Sequence, residues 1–169
     1  IIANLNYSVV EYDYKYCRYR STEKHESNEM TPCACHDENN GKMISAFYYG
    51  AKALWWMSEG QMNHYHNLFP FLAEKPNTVL SSIFDDKTFV NIKILREFHK
   101  ANSTERKKWI VLGSSSWVKG ADQAEQYCKD NNLDYDVVFG LSYDEALARL
   151  SSAKGFVYLP NGKDTCPRM

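Results

Sequence analysis

From Ala53 to Pro160, short apolar runs alternate with longer segments of helical pattern, and this alternation constrains the fold more than any other feature of the chain. The runs are ALWWM, TVLSSIF, WIVLG, YDVVFG and GFVYLP. Ile110–Leu112 is apolar on both faces, which suits a strand only when both sides of its sheet are covered. The intervening segments carry start and stop signals. Ser58 is placed to cap a helix through EGQMNHYHNLF that Pro70 helps to end, and Asp85 to cap one in which Phe89, Ile92, Leu95 and Phe98 share a face. GADQAEQYCKDN reads as a further helix, and Ser142 with Glu145 forms a capping box ahead of SYDEALARLSSA. The pattern predicts an α/β fold with a Rossmann-like parallel sheet, including a right-handed βαβ unit from Lys108 to Pro160.

At 169 residues, 44% hydrophobic and 24% charged, the chain has ordinary globular composition and enough length for one sizeable core or two partial ones. A net charge of -1 gives no global field for nucleic acid, so no nucleic-acid partner is expected. No apolar run approaches the roughly 18 residues of a membrane span. Five cysteines, an odd number, suggest reduced thiols and a cytoplasmic setting rather than a disulfide framework. The opening IIANLNYSVV lacks an initiating methionine and reads as the cut edge of a longer protein.

The first fifty residues are less regular. YSVVEYDYKYC has strand character and KMISAFYYGAK reads as a helix, with an aperiodic polar stretch between Arg18 and Gly41 that reads as one long loop. Cys17, His25, Cys33, Cys35 and His36 fall in or beside that stretch. Thiolate with imidazole is the donor set of a structural zinc, bound through Cys17, Cys33, Cys35 and one of His25 or His36, and a metal would give a coreless loop something to fold around. The irregular spacing fits a loop of free thiols equally. Tyr12, Tyr14, Tyr16 and Tyr19 interleave with Lys15, Arg18 and Arg20, as in a half-buried strand or a stacking platform for single-stranded nucleic acid. His64 and His66, two positions apart on a helix, do not face one another and read as surface histidines.

One stretch is placed for anion chemistry. GSSSWVKG follows WIVL, and it sets three serines and Lys119–Gly120 ahead of a helix. A helix N-terminus attracts anions through its free N–H groups, and a lysine adds a full charge. A polar turn with a glycine at each end accounts for the same residues.

The order of these elements resembles the retaining glycosyltransferases of GT-B architecture, group 1 or family 4-like, which use nucleotide-sugar donors. ALWWMSEGQ, with Ser58 and Glu59, looks like the serine–acid strand end of their N-terminal domain. VLSSIFDDKTF, with Ser81, Ser82 and Asp85, occupies the place of a strand that usually ends in Pro-Asn-Gly. VLGSSSWVKG matches the opening of their C-terminal domain at Gly113, Lys119 and Gly120, with Ser114 where an arginine is usual. FGLSYDEALARLSSAKGFVYLP carries Gly140, Glu145 and Pro160 in family order, and Asp164 in PNGKDTCPRM stands at the first of two acids, the second falling beyond Met169.

The resemblance implies residues 1–103 as a remnant of the N-terminal domain and 104–169 as the first half of the donor-binding domain. It implies transfer of a sugar from a nucleotide-sugar to a glycan or lipid acceptor, with no cofactor required for the chemistry. Gly113, Ser114, Ser115, Lys119 and Gly120 would hold the diphosphate; Asp164, as the catalytic-site acid, and the Thr165 N–H would face the donor sugar. The full-length protein would make peripheral membrane contact, and this piece, with half its nucleotide site missing, would be inactive. The rival expectation is a non-catalytic α/β binding module of flavodoxin-like or receiver-like form.

Overall fold

Every strand pairing among the described residues is parallel, as expected of short strands joined through helices. The computed structural model describes residues 5–81, 84–102 and 106–163. The described residues form two compact units, one of residues 5–81 with 162–163, the other of residues 84–102 with 106–161. The division falls ahead of the helix capped by Asp85, which packs within the second unit.

The first unit contains strand β1 (Val9–Glu11), helix α1 (Thr22–Glu29), α2 (Asn39–Gly50), β2 (Leu54–Trp56), α3 (Glu59–Leu68) and β3 (Asn77–Val79). Its sheet order is β1-β2-β3, with Val9 opposite Leu54 and Trp56 opposite Val79. Ser58 caps α3 by accepting from the Gln61 N–H at 3.1 Å. The core is aromatic: Tyr14, Tyr16, Tyr48, Trp56 and Tyr65 are buried around Leu54 and Leu72. Tyr14 stacks on Tyr65 with their planes 5° apart. Buried Gln61 accepts from the Met57 N–H and donates to the Asp13 carbonyl, so this polar side chain is satisfied inside the core.

Three expectations need correction here. The stretch 18–41 is no single loop: it holds α1 and a 3-10 turn at Cys35–Asp37. The helix escapes periodicity analysis because TEKHESNE has no apolar stripe, and only Thr22 and His25 are buried. The tyrosine-rich segment is strand only to Glu11; beyond it the backbone turns, delivering Tyr14 and Tyr16 to the core and leaving Tyr12 exposed. His64 and His66 are half-buried rather than surface groups. His64 Nε2 lies 2.6 Å from the Tyr16 hydroxyl and His66 packs edge-on to Trp56, because α3 is wedged between those aromatics.

Glu11 ends β1 at 1% exposure. Its carboxylate accepts from the Tyr48 hydroxyl, from Lys15 Nζ at 3.1 Å and from the Asp13 N–H at 3.1 Å. Burial pushes its pKa up from 4.5 to about 7, outweighing the pull of Lys15 and of the Asp13 N–H. Lys15 reaches solvent, which screens its charge, so desolvation wins. The folded state therefore binds a proton that the unfolded chain has released between about pH 4.5 and 7. Stability from this group is full below that window and falls as pH rises through it, by roughly 3 kcal/mol. Glu11→Gln should remove the slope. Denaturant melts at pH 5 and pH 8 check this, and parallel pH profiles for the two proteins would refute it.

The second unit contains α4 (Asp86–Ala101), β4 (Trp109–Leu112), α5 (Ala121–Asp130), β5 (Tyr135–Val138), α6 (Tyr143–Ser151) and β6 (Gly155–Val157). Its sheet order is β5-β4-β6, so β4 is central. Val111 faces Ala124 and Cys128 of α5, while Ile110 packs with Ala153, Ala146 and Leu150 on the α6 side. Both faces are covered, as the apolar run 110–112 requires. Asp85 caps α4 through the Thr88 N–H at 2.8 Å, and the Ser142–Glu145 capping box is formed. The α4 stripe is less buried than its spacing suggests. Leu95 is half-buried, but Phe89 and Phe98 are 59% and 58% exposed, because within the unit the helix meets mainly α6. No described helix is long and apolar enough to cross a membrane.

Candidate functional site

Four metal-ligating side chains converge in the first unit. After β1 the chain makes a tight turn in which the Cys17 N–H donates to the Tyr14 carbonyl and the Arg20 N–H to the Cys17 carbonyl. Arg20 takes a left-handed φ of 60°, and Ser21 then caps α1 by accepting from the Lys24 N–H. The cap fixes the start of α1 and points His25, one turn in, back at Cys17. Left-handed Met30 ends α1, and the 3-10 turn returns Cys35 to the same place.

The donor atoms of Cys17, His25, Cys33 and Cys35 all lie within 4.8 Å of one another. His25 Nδ1 is 3.4 Å from Cys35 Sγ and 3.9 Å from Cys17 Sγ. Metal–sulfur bonds of about 2.3 Å and metal–nitrogen bonds of about 2.0 Å in a tetrahedron put donors about 3.5–3.8 Å apart. The four residues could hold a metal ion, and the histidine among them is His25. His36 is elsewhere, with Nε2 3.3 Å from Asp37 and its ring edge-on to Tyr16 and Phe69.

The surroundings favour anionic sulfur at one position. Burial acts to raise the Cys35 thiol, but N–H donors of Arg18, backbone and side chain, outweigh it and hold the thiol below its ordinary range. Cys17 is raised by burial, and Cys33 is pushed up to about 12 by the same cause. A divalent cation reverses both shifts, since its charge favours thiolate. Sequence reading missed Arg18 as a participant; its signal was adjacency to Cys17 in an otherwise unpatterned stretch.

A second constellation sits at the carboxyl end of β4. The Gly113 N–H donates to the Val138 carbonyl at 2.8 Å, and a Cβ on Gly113 would stand 2.8 Å from Val137 Cγ1, so the chain leaves β4 hard against β5. Ser114 Oγ accepts from the Ser116 N–H at 3.1 Å, tightening the turn. A 3-10 turn (Trp117–Lys119) leads into Gly120, at φ 62°, and α5 begins with no side-chain cap on its first N–H groups. Asn161, just beyond β6, ties the turn down: its N–H donates to the Val118 carbonyl and its Nδ2 to the Trp117 carbonyl.

These residues enclose a polar depression of about 210 Å³, lined by Ser114, Ser115, Ser116, Ala121, Asp122 and Asn161 together with Trp117. It lies where the chain goes from β4 to β5 on one side and returns to β6 on the other, the place where open α/β sheets leave a crevice. Ser114 and Ser115 line the depression; Lys119 and Gly120 flank it without lining it. Asn161 and Asp122 were not singled out from the sequence, although Asn161 follows the strand-ending Pro160. Asp164, Thr165 and Ser82 lie outside the described residues. Comparison with known protein families, with curated proteins and with solved structures finds no match to this chain.

Proposed function

We propose that the second unit is a Rossmann-like nucleotide-binding piece of a glycosyltransferase that draws its sugar from a nucleotide-sugar donor, with the Gly113–Gly120 turn as the diphosphate cradle. One observation carries this reading: a serine turn and an uncapped helix N-terminus meet at the crevice between β4 and β6. Charge develops on the diphosphate as the sugar bond breaks, and preorganised N–H donors with a nearby cation stabilise it. The Ser114 and Ser115 hydroxyls and the first N–H groups of α5 supply donors; Lys119 supplies the cation. Asp164 and Thr165 take the sugar side by resemblance, and the acceptor is a glycan or lipid.

Titration of the protein with uridine, guanosine and adenosine diphosphates tests the cradle. Lys119→Ala is expected to weaken binding by about 1–3 kcal/mol, the worth of a charge-assisted hydrogen bond, with little change in melting. Asp122→Asn should tighten binding, since its carboxylate lines the same depression. If no diphosphate binds, or all bind equally well without Lys119, the reading is wrong. That same carboxylate, a repulsive neighbour for an anion, favours a second reading: a non-catalytic α/β binding module, which predicts no diphosphate binding by any of these proteins.

We further propose that Cys17, His25, Cys33 and Cys35 hold a structural zinc. The donor set is three thiols and one imidazole in near-tetrahedral spacing, which leaves no open position for chemistry. Reduced thiols at such a site fit a cytoplasmic setting.

A further inference from the structure

The amino ends of the strands in the second unit carry another concavity, at the opposite end of the sheet from the serine turn. It encloses about 480 Å³ between α4, α6 and the start of β6, within the range of small-molecule sites. Its walls are hydrocarbon: Ile92 and Leu95 come from α4, Leu147 and Leu150 from α6, and Phe156 from β6.

The charged groups that the described residues bring to this cleft are of one sign. Arg96, Arg106 and Lys154 line it, and no lining residue among the described residues is acidic. Elsewhere in the unit the pattern differs: Lys87 pairs with Asp144, and Lys108 and Arg149 both pair with Asp136. The three cleft cations are exposed and take part in no ion pair or side-chain hydrogen bond among the described residues. Three unneutralised cations beside a low-dielectric wall attract an anion strongly, whereas an apolar wall rejects the hydroxyls of a sugar phosphate.

We infer that this cleft binds a single-chain anionic amphiphile. Its hydrocarbon tail lies between Leu95, Leu147 and Phe156, and its carboxylate or phosphate head meets Arg96, Arg106 and Lys154. The site is independent of the diphosphate cradle and stands whether or not that reading does.

The test uses the full chain, in a buffer free of phosphate, and calorimetric titration below the micelle concentration of each ligand. Dodecanoate and dodecyl phosphate are the two anionic probes, and their ratio identifies the head group the site prefers. At least one should bind saturably at one per chain. Dodecanol, with the tail alone, and butyl phosphate, with the head and a short tail, should each bind about tenfold more weakly or worse. Arg106→Gln with Lys154→Gln should weaken the anionic probe by at least about tenfold at unchanged circular dichroism. Leu147→Trp, which fills the cleft, should abolish binding; if that protein does not fold, the double charge variant decides. Absence of saturable binding, equal binding of dodecanol, or a double variant that binds like the parent overturns the proposal.

Discussion

Stripping the proposed zinc from the protein is expected to release the chain from Cys17 to Cys35 while the aromatic core around Trp56 and Tyr65 stays folded. The reason lies in what else holds that segment. α1 buries only Thr22 and His25, and Cys17 and Cys35 are its anchors to the core. Structural zinc sites of this donor type contribute about 10–16 kcal/mol of apparent binding free energy, most of which here would be ordering energy for one segment. Hydrogen exchange with and without a chelator should show protection lost across α1 and the Cys35 turn, and retained in β1, β2 and α3. The midpoint of thermal unfolding should fall by more than about 10 °C, the equivalent of several kcal/mol in a chain of this size. His25→Ala should lower zinc content and His36→Ala should not, since only His25 faces the thiols. Protein purified without added metal that holds less than one zinc per chain, with its thiols freely titratable, would end the zinc reading.

Gly120→Ala should be the most damaging single change in the second unit. A Cβ there would overlap the Leu159 carbonyl oxygen and stand 2.9 Å from the Leu159 carbonyl carbon, at a φ of 62° that disfavours any side chain. Nothing at the contact is a flexible side-chain end, so backbone must move. Moving it separates Asn161 from the Trp117 and Val118 carbonyls and opens the turn. A loss on the order of 3 kcal/mol or more follows from strain and broken hydrogen bonds together. Diphosphate affinity should fall below detection, a larger effect than that of Lys119→Ala because geometry is lost as well as charge. Urea unfolding and the diphosphate titration measure the two consequences. Wild-type stability for Gly120→Ala would mean that the two strand-end loops are not wedged together.

Where local chemistry dictates local structure, the sequence could be read. Ser58, Asp85 and Ser142 sit where their side-chain oxygens meet helix N–H groups, and all three caps form. ALWWM, WIVLG, YDVVFG and GFVYLP each hold a strand because each is short and bounded by turn residues, whereas the strand in TVLSSIF ends at Val79. α1 could not be read, since its helicity rests on the Ser21 cap and on His25 rather than on periodicity. The metal cluster was legible as a set of residue types but not as a geometry. One intervening residue between Cys33 and Cys35 matches no familiar ligand spacing, and only the fold brings Cys17 and His25 to them. Choosing His25 over His36 required knowing that one lies on α1 and the other is packed against Phe69. Asn161 was invisible for a related reason: its partners, Trp117 and Val118, are distant in sequence.

The thiol–imidazole cluster also bears on the order in which the chain acquires its shape. Val9 must find Leu54 to start the first sheet, and parallel pairing of this kind gives no stabilisation until the whole intervening chain has been closed into a loop. Closing a long loop costs about 0.6 kcal/mol more with each doubling of its length, so any earlier cross-link inside it shortens the search. Cys17 and Cys35 lie inside that loop, and His25 and Cys33 join them from nearby positions along the chain. A metal captured by these neighbours would draw the segment 17–35 together before either strand has a partner. The remaining connection to Leu54 is then mostly α2, which forms locally. A zinc held there would act as a folding nucleus: it would remove disorder from the unfolded chain first, and the aromatic core would assemble around what it had already gathered.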